Sequence, residues 1–414
     1  MDTKSLSIQR IYLSLTLLNT LAASLIWGIN TLFLLNAGLS NLEAFAANAF
    51  FTVGEVIFEI PTGIVADMWG RRMSYLLGTV TLGISTLLYL WAWEVHASFL
   101  FWAITSVLLG LGFTFFSGAT EAWLVDALHA TGFNGNLESV FAKAQIVGGI
   151  AMLTGSVLGG VVAQVTNLGV PYILRAAILG LNFIVAFILM KDLGFSPKKS
   201  ESVVGNMKGL LKTSFDKGLK NPPVRWIMLA APFTSGVSFY VFYASQPYLL
   251  QLYGNKEAYG IAGLAAAIVA GAQIIGGLTA VHIGRLFTRR TSVLLTSVLV
   301  NTALLVVIGL VTNFWIAIVL LVLWGLMFAA ATPVRQAYMN GLIDSKERAT
   351  VLSFDSLMGS SGGVVIQPIL GRVADVNGYA VSYMISAVFQ IIALPFVLLA
   401  RKEHPKSDTI LTHS

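Results

Sequence analysis

The chain has 414 residues, 56% of them apolar and only 11% charged, with 25 Lys and Arg against 19 Asp and Glu. Soluble domains carry about 25% charged residues, so this chain cannot cover its surface with polar groups, and lipid must do so. The absence of cysteine excludes disulfide frameworks, thiolate zinc sites and iron–sulfur clusters, and no G-x-x-x-x-G-K-[ST] loop for ATP is present.

A helix needs about 20 apolar residues to cross a bilayer. Breaks at charge clusters and at Gly, Pro and Asn predict spans 1 to 6 near 11–38, 42–66, 73–93, 97–127, 139–165 and 171–191. Spans 7 to 12 follow near 224–251, 258–284, 290–311, 314–341, 349–373 and 379–400. The first run, Ile11 to Gly38, is too long for the core of a cleavable signal peptide and lacks a small-residue cleavage site, so it reads as a retained span. The expectation is an all-α membrane protein with a six-helix N-terminal bundle (1–191), a linker (192–223) and a six-helix C-terminal bundle (224–414).

Basic residues accumulate in cytoplasmic loops. With the N-terminus inside, Lys4, Arg10, Arg71, Arg72, the run from Lys191 to Arg225, Arg285, Arg289, Arg290, Lys346, Arg348, Arg401, Lys402 and Lys406 share one side, leaving Lys256 and Arg372 opposite. Both termini are then cytoplasmic. The bias accounts for a sequence pI near 9.4 without any nucleic acid. In the linker, Val203, Val204, Met207, Leu210, Leu211, Phe215 and Leu219 fall on one helical face, as in an amphipathic helix at the membrane surface. Gly205, Gly209 and Gly218 suit a solvated linker instead.

The halves repeat. Gly110-Leu111-Gly112-Phe113 with Ala122-Trp123-Leu124 returns as Gly325-Leu326-Met327-Phe328 with Ala337-Tyr338-Met339; Arg71-Arg72 returns as Arg289-Arg290, and Tyr172 as Tyr383. These offsets run from 211 to 218 residues and keep their order, as internal duplication requires.

Between spans 2 and 3 lies Gly63-Ile64-Val65-Ala66-Asp67-Met68-Trp69-Gly70-Arg71-Arg72. The spacing G-x-x-x-D-x-x-G-R-R resembles the signature of the major facilitator superfamily. A plain positive-inside loop would explain Arg71 and Arg72, but neither Gly63 nor Asp67. The resemblance implies twelve helices in two pseudo-symmetric bundles that rock about a central site. It implies that Gly63 permits a tight turn, that Asp67 faces the start of helix 11, and that Arg71 reaches Asp126. Glu59-Ile60-Pro61-Thr62-Gly63 and Ser117-Gly118-Ala119-Thr120-Glu121-Ala122-Trp123-Leu124-Val125-Asp126 resemble the drug and small-molecule exporters of that superfamily. The sequence departs from the pattern after helix 8, where Arg285 stands at the place of Asp67, so the C-terminal half is expected to lack the clasp. The helix-5 antiporter motif is also incomplete: Gly155-Ser156-Val157-Leu158-Gly159-Gly160 has no proline. An intramembrane arginine is missing from Phe101 to Gly118.

Ionisable residues inside spans are functional candidates by default, because insertion costs roughly 2.5–3.5 kcal/mol for Asp, Lys or Arg. Here they are Glu55, Glu59, Glu121, Lys143, Arg175, Arg335 and Asp355. Glu55 lies ~18 Å along the helix from Asp67, near mid-membrane, and shares a helix face with Glu59. Two carboxylates one turn apart in a poor dielectric favour holding a proton, as a carrier must. Glu55 is the first proton-coupling candidate and Glu121 the second; for Glu59 a hydroxyl or N–H partner is expected. Arg175 is read as an interfacial anchor. Arg335 matches Thr120 by the repeat, so Glu121 and Arg335 sit at similar heights. They either pair across the cavity or each pair within their own half.

Glycines at 148, 155 and 159, at 263 and 271, and at 359 and 363 form small-residue stripes, read through the resemblance as helix 5 on helix 8 and helix 2 on helix 11. Asn30, Tyr240, Tyr243 and Gln246, with Arg335 and Asp355, are the candidate cavity residues. Aromatics and amides suit an amphipathic organic solute. The scattered histidines (His96, His129, His282, His404, His413) show no ligand spacing, so neither metal nor cofactor is expected. The function read here is proton-coupled export of a small organic solute by a monomeric secondary transporter in the plasma (inner) membrane. The alternatives are a metabolite importer or uniporter, or a non-transporting sensor or lipid-handling protein on the same fold.

Overall fold

The computed structural model describes residues 3–197, 205, 214–344 and 347–410. Helix accounts for 85% of the chain, with no strand among the described residues. In lipid no water is available to satisfy backbone polar groups, so a spanning segment satisfies them within itself as helix.

The helices are α1 (Thr3–Trp27), α2 (Asn30–Asn36), α3 (Asn41–Trp69), α4 (Arg71–Glu94), α5 (Phe99–Thr114), α6 (Ala119–Ala130), α7 (Leu137–Val165) and α8 (Val170–Leu189), followed by α9 (Pro222–Tyr253), α10 (Tyr259–Gly284), α11 (Arg290–Leu310), α12 (Phe314–Asn340), α13 (Arg348–Ile391) and α14 (Ala393–Lys402). Among the described residues, eleven helical segments are long and apolar enough to span a membrane, and the last runs for 53 residues. That last segment bends at Gly378, whose φ of +81° and ψ of 167° are not helical. The bend divides it into two spans, making twelve.

Two expected spans are broken. Span 1 interrupts at Gly28–Ile29 between α1 and α2, and span 4 at Phe115–Gly118 between α5 and α6. Gly118 takes a left-handed φ of +66°, and the Phe115 carbonyl freed there accepts a hydrogen bond from the Ser74 hydroxyl at 2.7 Å. Side chains seed two other helices. Asn136 accepts from the Glu138 amide at 2.7 Å to start α7, and Asn313 accepts from the Trp315 amide at 2.9 Å to start α12. The expected amphipathic linker helix falls mostly outside the described residues; Ser214–Leu219 forms a short π-helical turn.

The chain divides into two compact units. Unit 1 holds residues 1–39, 50–205 and 257–267; unit 2 holds 40–49, 206–256 and 268–414. In unit 1 the glycine stripe of α7 faces α1. Gly148 lies against Thr16 and Thr20, Gly155 against Ser24, and Gly159 against the Leu25 carbonyl. Only Gly160 turns to α10, where a Cβ would fall 2.9 Å from the Gly263 Cα. The stripe on α13 likewise packs on α9, Gly359 against Ser235 and Gly363 against Phe239. The expected packing of helix 5 on helix 8 is therefore met at Gly263, which lies against Ser156 and Gly160, whereas the 148/155/159 and 359/363 stripes pack on α1 and α9 instead, small residues letting backbones approach closely in each case.

Aromatic rings fill the rest. In unit 1 Phe33 stacks on Tyr172 with centroids 4.0 Å apart, and Tyr89 donates to or accepts from Ser106 at 2.6 Å. In unit 2 Tyr240, Tyr248 and Tyr383 are buried together, and the Tyr248 hydroxyl reaches the Ile308 carbonyl at 2.7 Å. Each of these five phenols has a partner for its hydroxyl, as burial demands.

Candidate functional site

The signature turn is built at Gly70, not at Gly63. Gly63 lies within α3, which continues helically to Trp69, and it has open space around it. Gly70 takes φ +103°, and a Cβ there would stand 3.1 Å from the Asp192 carboxyl carbon, so only glycine fits. Across this turn Arg71 pairs with Asp67 at 2.7 Å. Asp67 is 41% exposed, so the pair contributes at most about 1 kcal/mol and orients the turn more than it stabilises it. Asp126, the partner expected for Arg71, carries no ion pair among the described residues.

Arg72 engages the end of unit 1. Its amide donates to the Asp192 carboxylate at 2.9 Å, its guanidinium to the Phe187 carbonyl at 2.6 Å, and the same group lies 5.1 Å from the Phe187 ring centre. Burial pushes the Asp192 carboxyl above its usual range, against the opposing pull of the Arg72 amide and the two guanidiniums. Unit 2 has a counterpart that sequence reading missed. Asp408 accepts from the Thr291 amide and hydroxyl, each at 2.8 Å, and Arg290 donates to the Ser407 and Thr409 carbonyls. The signal was present: Asp192 and Asp408 are 216 residues apart, inside the window of the repeat. The second half therefore repeats the Asp192 contact at the start of α11, while Arg285 occupies the place of Asp67.

Within α3 the two carboxylates meet different fates. Glu59 accepts from the Ser117 hydroxyl at 2.6 Å, at the break between α5 and α6. Glu55 sits where α3 crosses α5: a Cβ on Gly110 would come 2.8 Å from the Glu55 amide. The Glu55 side chain is half-buried and has no hydrogen bond or ion pair among the described residues. Glu121, on the first turn of α6, is exposed and forms no ion pair with Lys143.

Arg175 is not an interfacial anchor. It is 2% exposed, with its Nε donating to the Thr86 hydroxyl at 3.1 Å and its guanidinium 5.9 Å from the Phe113 ring centre. The expectation failed because sequence position gives depth along a helix but not which face the side chain takes. No carboxylate among the described residues pairs with it, and aromatic faces and a hydroxyl replace one.

In unit 2, Arg335 on α12 is held by both oxygens of Asp355 on α13, at 2.5 and 2.7 Å, and reaches toward the Ile227 carbonyl of α9 at 3.5 Å. Arg335 thus finds its partner within its own half. Beside the pair lies a cavity of about 220 Å³, lined by Thr234, Ser297, Asn301, Phe328, Arg335 and Gln390 among others. The other expected cavity residues are not among those that line it. Tyr240 is buried and donates to Ser382 at 2.5 Å, Tyr243 packs edge-on against Phe242, and Gln246 is buried within α9. Asn30, in unit 1, accepts from the Tyr172 hydroxyl at 3.0 Å. Asn301 and Gln390 went unnoticed although Asn30 and Gln246, amides in similar apolar runs, were singled out, since sequence alone does not say which amides share a cavity.

Known proteins share this architecture. A solved structure of the nucleoside transporter NupG superposes with a TM-score of 0.76 at 13% identity, covering 97% of this chain and 100% of that one. A bacterial homologue of the human lysosomal transporter Spinster, in an inward-facing and unoccupied conformation, gives 0.73 at 15% identity over the full length of both. A POT family transporter in complex with a thioalcohol-conjugated peptide gives 0.71 at 12%, covering 96% of each. In sequence, an uncharacterised MFS-type transporter of Methanocaldococcus jannaschii is 23% identical over 181 residues, which span 44% of this chain and 45% of that relative. The Major Facilitator Superfamily profile matches residues 12–300 and 255–413. With residues 12–413 covered in two overlapping matches, the chain belongs to the major facilitator superfamily, as a multi-pass membrane transporter of a small solute and not an enzyme.

Proposed function

We propose that the chain exports a small amphipathic organic solute in exchange for protons, by alternating access of its two six-helix halves. It works as a monomer in the plasma membrane with both termini cytoplasmic, the placement of basic loops supporting that orientation. The resemblance of the Glu59–Gly63 and Ser117–Asp126 stretches to exporters supports the direction.

The proton linkage rests on Glu55. Its carboxylate lies in a span, half-buried and without a donor or cation among the described residues, so it carries the cost of its charge alone. Taking up a proton removes that cost, and any movement that hydrates the site restores the charge. Glu59, tied to Ser117, is not free to alternate in this way, and Glu121 is the second carrier.

The test is flux in proteoliposomes under an imposed pH gradient, with a solute first identified by thermal-shift screening of the detergent-solubilised protein. Glu55→Gln is expected to abolish the pH-driven component while solute exchange at equal pH persists. Undiminished pH-driven flux in both Glu55→Gln and Glu121→Gln would remove the proton assignment. A ligand that binds yet never crosses would favour a sensor.

A further inference from the structure

We propose that the cavity inside unit 2 is a binding site for an uncharged organic molecule that presents an N–H or O–H donor to Asn301. Asn301 is 1% exposed, and its Oδ1 is buried without a hydrogen-bond partner. The orientation of this amide follows from its neighbour. The Ser297 hydroxyl donates to the Met327 carbonyl at 3.3 Å, so toward Asn301 it only accepts, and it takes the Nδ2 proton at 3.5 Å. That leaves Oδ1 as a buried acceptor without a partner, on a side chain that lines the cavity and must turn slightly to meet an occupant. An orphaned buried acceptor costs about 1–3 kcal/mol, and an occupant with a donor removes that cost.

Gln390 supplies a second amide. It is 3% exposed, lines the same space and has no side-chain hydrogen bond among the described residues. Phe328, Val298, Leu294 and Val397 make the opposing walls apolar, which suits a flat or aromatic body. Charge is disfavoured because Arg335, which lines the cavity, is already neutralised by both oxygens of Asp355, so neither an anion nor a cation meets an uncompensated opposite charge there. At about 220 Å³ the space is below the usual range for drug-sized ligands and admits one small ring with its substituent. Where the transport proposal holds, the occupant is the solute or its head group; that clause rests on it, whereas the site itself does not.

The probe is benzamide, compared with acetophenone (same size, acceptor only) and benzoate (same size, anionic), by equilibrium dialysis against the purified full chain. Benzamide is expected to bind with a dissociation constant of about 1 mM or tighter. Acetophenone and benzoate are each expected to bind at least about tenfold more weakly. Asn301→Leu is expected to lose benzamide by a similar factor, with Gln390→Leu as a second variant should the first melt early. No benzamide binding at about 10 mM, equal binding of acetophenone or benzoate, or undiminished binding to a stably folded Asn301→Leu would each overturn the proposal. Benzamide binding persisting in Glu55→Gln while pH-driven flux is lost separates this site from the coupling machinery, since the flux assay can fail without the binding assay failing.

Discussion

Asp355→Ala is expected to lower the melting temperature of the detergent-solubilised protein by roughly 6–12 °C. Removing one member of a buried pair strands the other, at a cost near 3–5 kcal/mol, and a unit of this size loses about 2–4 °C per kcal/mol. The lower end applies because the Arg335 side chain is 26% exposed and can turn toward water. The bidentate geometry matters more than the count of contacts. Two parallel N–H···O bonds at 2.5 and 2.7 Å hold α12 against α13 in one register, and the reach toward the Ile227 carbonyl adds α9.

The double variant Arg335→Met/Asp355→Leu separates structure from function. Apolar replacement of a whole ion pair is often neutral or stabilising, so most of the lost melting temperature should return. If flux returns as well, the pair only holds helices together. If stability returns and flux does not, Arg335 or Asp355 handles the solute or the proton. A single Asp355→Ala variant that melts like the unaltered protein would sink the account of the pair.

Span positions were legible because lipid imposes one rule on every spanning segment, and the runs of apolar residues record it directly. Interruptions were not. Gly28–Ile29 and Phe115–Gly118 lie inside continuous apolar stretches, and hydropathy is blind to a broken helix whose free backbone groups find partners, as the Phe115 carbonyl does with Ser74. The site was legible residue by residue but not pair by pair. Arg335 and Asp355 were both visible as charges out of place, yet only folding brings α12 and α13 together. Arg175 was misjudged for the complementary reason, since its cost is met by rings and a hydroxyl whose proximity no spacing announces. Asp192 and Asp408 could have been found, because the repeat relates them and each follows the last span of its half.

Asp375→Ala is expected to free the first turns of α3 from the rest of unit 2. Ser40 and Glu43 form a local cap: the Glu43 carboxylate accepts from the Ser40 amide at 2.9 Å, and the Glu43 amide donates to the Ser40 hydroxyl at 3.2 Å. The next two amides look elsewhere. Asp375, on α13, accepts from the Asn41 amide at 2.9 Å, the Asn41 side chain at 3.0 Å and the Leu42 amide at 2.9 Å, while Tyr379 donates to the Asn41 side chain. Because the local cap survives the substitution, the helix start should stay folded and merely detach. Losing a charged cap of this kind costs about 2 kcal/mol at most, or roughly thirtyfold in the detachment equilibrium. The chain has no native cysteine, so a single Ala44→Cys, at a position 0% exposed, reports the event without background. Its maleimide labelling rate should rise about tenfold or more with Asp375→Ala and by less with Asp375→Asn, which keeps an acceptor but loses the charge. Labelling of Ala92→Cys, buried in unit 1, should not change. Since α3 passes from unit 2 into unit 1 after Ala49, a carrier that must release this end during its cycle would feel the same loss as a shift in its resting state. Labelling of Ala44→Cys that ignores Asp375 would show that the carboxylate holds nothing that moves.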